Sequence, residues 1–95
     1  MEFDKVIHEP ARLRIMMILT GSAEADFNFL RTTLGLTRGN LSKHIEKLES
    51  AGYLNIHKSF NGKVPHTRYQ MTHKGSQALL QYWERIDAVR QLGGS

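Results

Sequence analysis

Leu30-Arg31-Thr32-Thr33-Leu34-Gly35-Leu36-Thr37-Arg38-Gly39-Asn40-Leu41-Ser42-Lys43-His44-Ile45-Glu46-Lys47-Leu48-Glu49-Ser50-Ala51-Gly52-Tyr53-Leu54 is the stretch on which the reading of this chain turns. Phe27, Leu30 and Leu34 recur at helical spacing, Asp26 is placed to cap the run, and Gly35 stops it. Leu36 bridges a tight turn, Thr37 is the next N-cap, and a second helix is expected from about Arg38 to Ser50, closed by Ala51-Gly52. On a wheel of about 100° per residue, Ile45 and Leu48 fall within about 40° of Leu41. Gly39, Asn40, Lys43, Lys47 and Ser50 point broadly away, with Glu46 beside them, Arg38 and Ser42 on one flank and His44 on the other. One face therefore packs, and the other offers cations and small polar groups.

Those residue types suit a DNA groove. Arg and Lys reach guanine acceptors or phosphates, Asn pairs with adenine, Ser bonds either way, and Gly admits a close backbone approach. The positive end of the helix dipole adds attraction for phosphate. A merely solvated helix face accounts for any one of these residues as well. His44 has two readings, a phosphate contact or a half-buried packing residue.

Downstream, Tyr53 to Ser59 reads as a strand in which Leu54 and Ile56 alternate with polar neighbours, Phe60-Asn61-Gly62-Lys63 reads as a turn in which Asn-Gly is a hairpin signal, and Thr67, Tyr69 and Met71 alternate in turn. Pro65 is expected to delay the returning strand. This wing carries Lys58, Asn61, Lys63, His66 and Arg68, placed to reach the DNA backbone or minor groove, or to protect a short sheet edge. Upstream, Phe3 to His8 reads as a short helix or turn that packs back on the fold. A helix from Ala11 to Thr20, with Pro10 at its start and Gly21 as its stop, is apolar nearly all round and expected at the centre. Ser22 to Ala25 reads as a loop. Thr72 caps a last helix over about His73 to Leu92, and Gly93-Gly94-Ser95 reads as a frayed end. The order of helix, helix, helix, hairpin, helix makes an α+β winged helix-turn-helix in a single domain over residues 1–95. The helix pair is expected over about 26–51, the wing over about 53–71, and the last helix over about 73–92.

Composition narrows the function. The net charge is +4, but it is unevenly spread. Residues 1–30 carry three Lys and Arg against five carboxylates, residues 31–74 eight against two, and residues 75–95 two against two. The excess lies across the helix pair and the wing, where it attracts a polyanion. The absence of cysteine excludes disulfides, thiolate metal sites and cysteine nucleophiles, and fits a reducing cytoplasm. The histidines show no metal spacing, and no nucleophile–base pair, paired carboxylates or phosphate loop is apparent, so no metal, cofactor or enzymatic activity is expected. No run is long and apolar enough to span a bilayer.

In the last helix Leu79, Tyr82, Ile86 and Val89 repeat at spacings of three, four and three, reinforced by Leu80, Trp83 and Leu92. The stripe either packs on its own domain or pairs with a second copy. The expected dimer interface is Phe3, Val6, Ile7, Leu79, Tyr82, Trp83, Ile86 and Val89. A two-fold dimer sets two recognition helices about 34 Å apart on a near-palindromic site.

Phe3 through Ile15, the segment Leu48-Glu49-Ser50-Ala51-Gly52-Tyr53-Leu54, and Gly62 through Gly75 resemble small prokaryotic winged-helix transcriptional regulators of the MarR and ArsR groups. The resemblance covers nearly the whole chain. It implies a homodimeric DNA-binding repressor with its terminal helices at the interface, and it carries DNA contact to Arg38, Gly39, Asn40, Ser42, Lys43, Lys47, Lys63 and Arg68. The chain lacks the cysteines of metal-sensing ArsR members and is shorter than typical MarR proteins. The full set of expected DNA-facing residues is Thr37, Arg38, Gly39, Asn40, Ser42, Lys43, His44, Lys47, Asn61, Lys63 and Arg68. The expected partners are double-stranded DNA and a second copy of the chain; no membrane is expected, and an effector is left open. The alternative is a protein-interaction winged helix that docks on the transcription machinery.

Overall fold

The structure, a computed structural model, describes residues 2–93. Gly94 and Ser95, part of the expected frayed end, lie outside the described residues. Pro10–Ile18 forms α1, a single 3-10 turn follows at Thr20–Ser22, and Glu24–Asp26 forms β1. The helix pair is α2, Phe27–Leu34, and α3, Arg38–Ser50. The hairpin is β2, Leu54–Asn61, with β3, Val64–Met71, and the chain closes with α4, His73–Gly93. This is the α+β winged helix-turn-helix that the sequence implied.

Each helix starts where a side chain satisfies the free amides of its first turn. Glu9 accepts from the N–H groups of Ala11 and Arg12 at 2.9 and 3.0 Å, and Pro10 occupies the position where an N–H has no partner to lose. Asp26 accepts from Phe29 N–H at 2.7 Å and Thr37 from Asn40 N–H at 3.1 Å. Between α2 and α3, Gly35 adopts φ 66°, a left-handed conformation that a Cβ disfavours. Its N–H donates to Thr32 O and that of Leu36 to Arg31 O.

The core gathers Ile7, Ile15, Met16, Leu19, Leu30, Leu41, Ile45, Leu48, Leu54, Tyr69, Leu79 and Tyr82, all buried. Four expectations need correction. Helix α1 is apolar nearly all round but is not buried on every side, since Met17 is exposed while Ile15 and Met16 are fully buried. The supposed loop before α2 holds a strand: Glu24, Ala25 and Asp26 pair antiparallel with Gln70, Tyr69 and Arg68, giving the sheet order β1-β3-β2. Pro65 does not delay β3, which starts at Val64 and pairs Pro65 with Phe60. Next to the turn-closing pair Asn61–Val64, Pro65 takes the alternate position of the ladder, where no hydrogen bond is exchanged, and β1 reaches only Arg68 to Gln70. Nothing there requires its missing N–H.

The fourth correction concerns the expected dimer stripe. Ile7, Leu79 and Tyr82 are buried in the chain's own core, so they have no surface to offer a second copy. Tyr82 Oη bonds His8 Nδ1 at 2.9 Å, and Phe3 stacks on His8. The segment before α1 is thereby tied to α4, as Arg85 also shows by donating to Glu2 O at 2.7 Å. Phe3, Val6 and Ile86 are half-buried against the same core, whereas Leu80, Trp83, Val89 and Leu92 remain exposed. Helix α4 is seated by Thr72, whose hydroxyl donates to Gly52 O at 2.6 Å and accepts from Gly75 N–H at 2.9 Å.

Candidate nucleic-acid interface

Helix α3 divides as its pattern dictates. Leu41 and Leu48 are fully buried and Ile45 nearly so, while Arg38, Gly39, Asn40, Ser42, Lys43 and Lys47 are all exposed. The guanidinium of Arg38 lies over the Phe27 ring, 5.4 Å from its centroid. That contact holds the charge at the mouth of a groove of about 350 Å³, lined by Asp26, Asn28, Ser42, Pro65 and Thr67 among others. The groove joins the N-terminal end of α3 to the wing, so the two elements form one surface. An added Cβ at Gly39 would meet nothing within 4 Å. Packing within the chain does not require glycine there, although glycine costs a helix about 1 kcal/mol relative to Ala.

The other expected residues are distributed differently. Thr37 is exposed, but its hydroxyl is engaged in capping α3. His44 is half-buried, and its Nδ1 lies 3.2 Å from Glu9 Oε2 and 3.1 Å from Arg12 Nη1. Arg12 also donates from Nε to Val6 O and from Nη2 to Lys5 O. Burial disfavours the charged form of Glu9, but the amides of Ala11 and Arg12, with His44 and Arg12 beside it, outweigh this and hold its carboxyl below the ordinary value. In the wing, Lys58, Asn61 and Lys63 are exposed. Arg68 is exposed too, but its Nη1 pairs with Glu24 Oε2 at 3.0 Å. His66 Nε2 lies 3.4 Å from Asp26 Oδ2. The Phe29 amide, against a smaller opposing effect of burial and with help from His66, lowers the pKa of Asp26. Strand β1 therefore neutralises the base of the wing and leaves Lys58 and Lys63 toward its tip without a carboxylate nearby in sequence.

Lys5 is a residue the sequence did not single out. It lines a second groove of about 550 Å³ together with Lys43, Glu46, Lys47 and Ser50 of α3. The link is a tertiary one, made by Arg12 gripping the Lys5 carbonyl across seven residues, and no local pattern announces it. A neighbouring anchor joins Tyr53 Oη to Asp4 Oδ2. Burial, followed by the Asp4 carboxylate, pushes the Tyr53 hydroxyl up to about 12, so it stays a proton donor at neutral pH. No group of metal-ligating side chains occurs among the described residues, and no helix among them is long and apolar enough to cross a membrane.

A family model described as a winged helix DNA-binding domain matches residues 11–89, which is most of the chain and all of α2, α3 and both wing strands. The chain belongs to that family. An uncharacterized protein of Methanocaldococcus jannaschii is 37% identical to this winged-helix chain over 79 residues, covering 82% of this chain and 85% of that one. Among solved structures, a transcriptional regulator homologue from Pyrococcus horikoshii superposes with a TM-score of 0.86 at 29% identity, covering 95% and 89% of the two chains. Bacillus subtilis PadR, solved with operator DNA, shares the fold at a TM-score of 0.68 and 17% identity, over 79% of this chain and 48% of PadR. This winged-helix protein is a DNA-binding regulator rather than an enzyme.

Proposed function

We propose that this chain is a homodimeric transcriptional repressor, with α3 in the major groove of duplex DNA and the wing on the adjoining backbone and minor groove. The observation that carries the reading is the outward face of α3, where Arg38, Asn40, Ser42, Lys43 and Lys47 stand exposed around a glycine that packing within the chain does not require. Arg38, Asn40, Ser42 and Lys43 are the base-reading candidates, and Lys5, Lys47, Lys58 and Lys63 the phosphate contacts. His44 and Thr37 act as positioning residues, because their polar atoms hold α3 in place. Arg68 is the weakest of the contacts carried over from the resemblance, since Glu24 already pairs it. Repression by occupying the promoter follows the resemblance to MarR and ArsR regulators, and a reducing cytoplasm suits a chain without cysteine.

Binding to genomic fragments over a salt series tests the DNA reading. Affinity falls steeply with salt, and Lys43→Ala reduces it; a chain that does not bind at low salt refutes the proposal. Dimerisation is supported by Trp83, Val89 and Leu92, apolar side chains of α4 that the core does not cover. Sedimentation detects a two-copy species, and Trp83→Asp converts it to monomer while leaving the fold intact. A stable heteromeric partner captured through α4, with no DNA retained, favours the alternative of docking on the transcription machinery.

A further inference from the structure

The face of the β2–β3 hairpin that builds the core does not end where the core ends. Side chains alternate along a strand, so Leu54, Ile56, Lys58 and Phe60 share a face with their partners Met71, Tyr69, Thr67 and Pro65. Leu54 and Tyr69 are buried, and two registers further out Phe60 is 73% exposed, more than any other aromatic side chain among the described residues. Its cross-strand neighbour Pro65 is exposed as well and lines the groove shared with Arg38 and Ser42 of α3. Phe60 therefore stands on the side of the wing that looks toward the recognition helix. A free hairpin tip is ordinarily kept polar to discourage aggregation. This one carries Phe60, Pro65 and, at 65% exposure, Val64.

What surrounds the patch identifies its occupant. From Leu54 to Met71 the sequence contains no carboxylate, while Lys58 and Lys63 flank Phe60. An apolar projection ringed by cations, continuous with the polar face of α3, fits a duplex whose phosphates meet the lysines and whose base steps or sugars meet the ring. Proteins that reach into the minor groove use Phe, Pro and similar side chains as wedges that partly unstack a step and bend the duplex. We propose that Phe60, backed by Pro65, is such a wedge. The proposal rests on the DNA-binding reading above and adds a deformation of the DNA to it.

The test uses duplexes of about 30 base pairs labelled at both ends, one with pyrimidine–purine steps such as TA at its centre and one with a stiff A-tract, because a wedge favours easily unstacked steps. Bending raises energy transfer between the ends. Wild-type protein is expected to bind the TA-step duplex more tightly and to raise the transfer signal. F60A is expected to lose about tenfold in affinity, the order measured for aromatic–base stacking, together with the transfer change, while keeping the salt dependence of binding. F60L, still an apolar wedge, retains part of both. K63A provides the contrast, reducing the salt slope by about one while the bend persists. Unchanged circular dichroism confirms that F60A is folded. F60A that binds and bends like wild type overturns the wedge and leaves the DNA reading standing. Wild-type protein that binds neither duplex at low salt overturns both.

Discussion

Helices α3 and α4 are both amphipathic, yet they spend their apolar residues differently. In α3, Leu41, Ile45 and Leu48 are all buried, and the opposite face is polar. In α4, Leu79 and Tyr82 are buried and Ile86 half-buried, but Leu80, Trp83, Val89 and Leu92 are left in solvent. One helix is complete within the chain and presents charge, while the other is unfinished and presents hydrocarbon. The two surfaces therefore call for different partners. A polyanion suits the first, and a second apolar surface suits the second.

The contrast can be attacked through stability. Leu41→Ala removes a fully buried side chain from the inner face of α3 and is expected to cost about 3 kcal/mol, read as a lowered urea midpoint with unchanged slope. A cost no larger than that of Leu80→Ala on the outer side of α4 would mean the two helices do not differ as described. Gly75→Ala probes a close approach of α4 to the segment after α3. A Cβ there would lie 2.5 Å from the Tyr53 carbonyl oxygen and 3.0 Å from Met71 Cγ, and overpacking of this kind costs about 2 kcal/mol. A neutral result would show α4 to be loosely seated and the comparison to be one of attachment rather than of surface.

The smallest effect concerns the Glu9–Arg12–His44 contact that fixes α3 from behind. The folded-state pKa of Glu9 lies below its ordinary value of 4.5, so its charged form stabilises the fold. That contribution is fully present above the ordinary value and is lost as pH falls through the lower, folded-state value. Glu9→Gln is expected to cost about 0.5 kcal/mol at neutral pH, the usual size of a charge at a helix start. Denaturation curves of the two proteins should converge in acid. Curves that stay parallel would remove the electrostatic part of this anchor.

Elements governed by local chemistry were legible in the sequence. Asp26, Gly35 and Thr37 punctuate the helix pair, and α3 runs from Arg38 to Ser50 as its pattern implies. Features set by distant partners were not. Strand β1 has only three residues, too few for alternation to register, and exists because β3 offers it an edge. The stripe of α4 reads the same whether its first turns face a core or a second copy, and only the fold assigns Leu79 and Tyr82 inward. Lys5 is brought beside α3, and His44 is tied to the segment before α1, through Arg12 and Glu9, which no spacing links to either.

The short strand β1 runs directly into α2, and it pairs with β3 of the wing. The helix pair and the wing are therefore stitched together at Asp26, which caps the helix and ends the strand. Neither can swing without tearing the sheet. The spacing between the α3 face and the wing is built into the sheet before any encounter, so little ordering remains to be done on contact. Such a surface behaves like a fixed-gap caliper: whatever it grips must conform to it, because it does not reshape itself to fit.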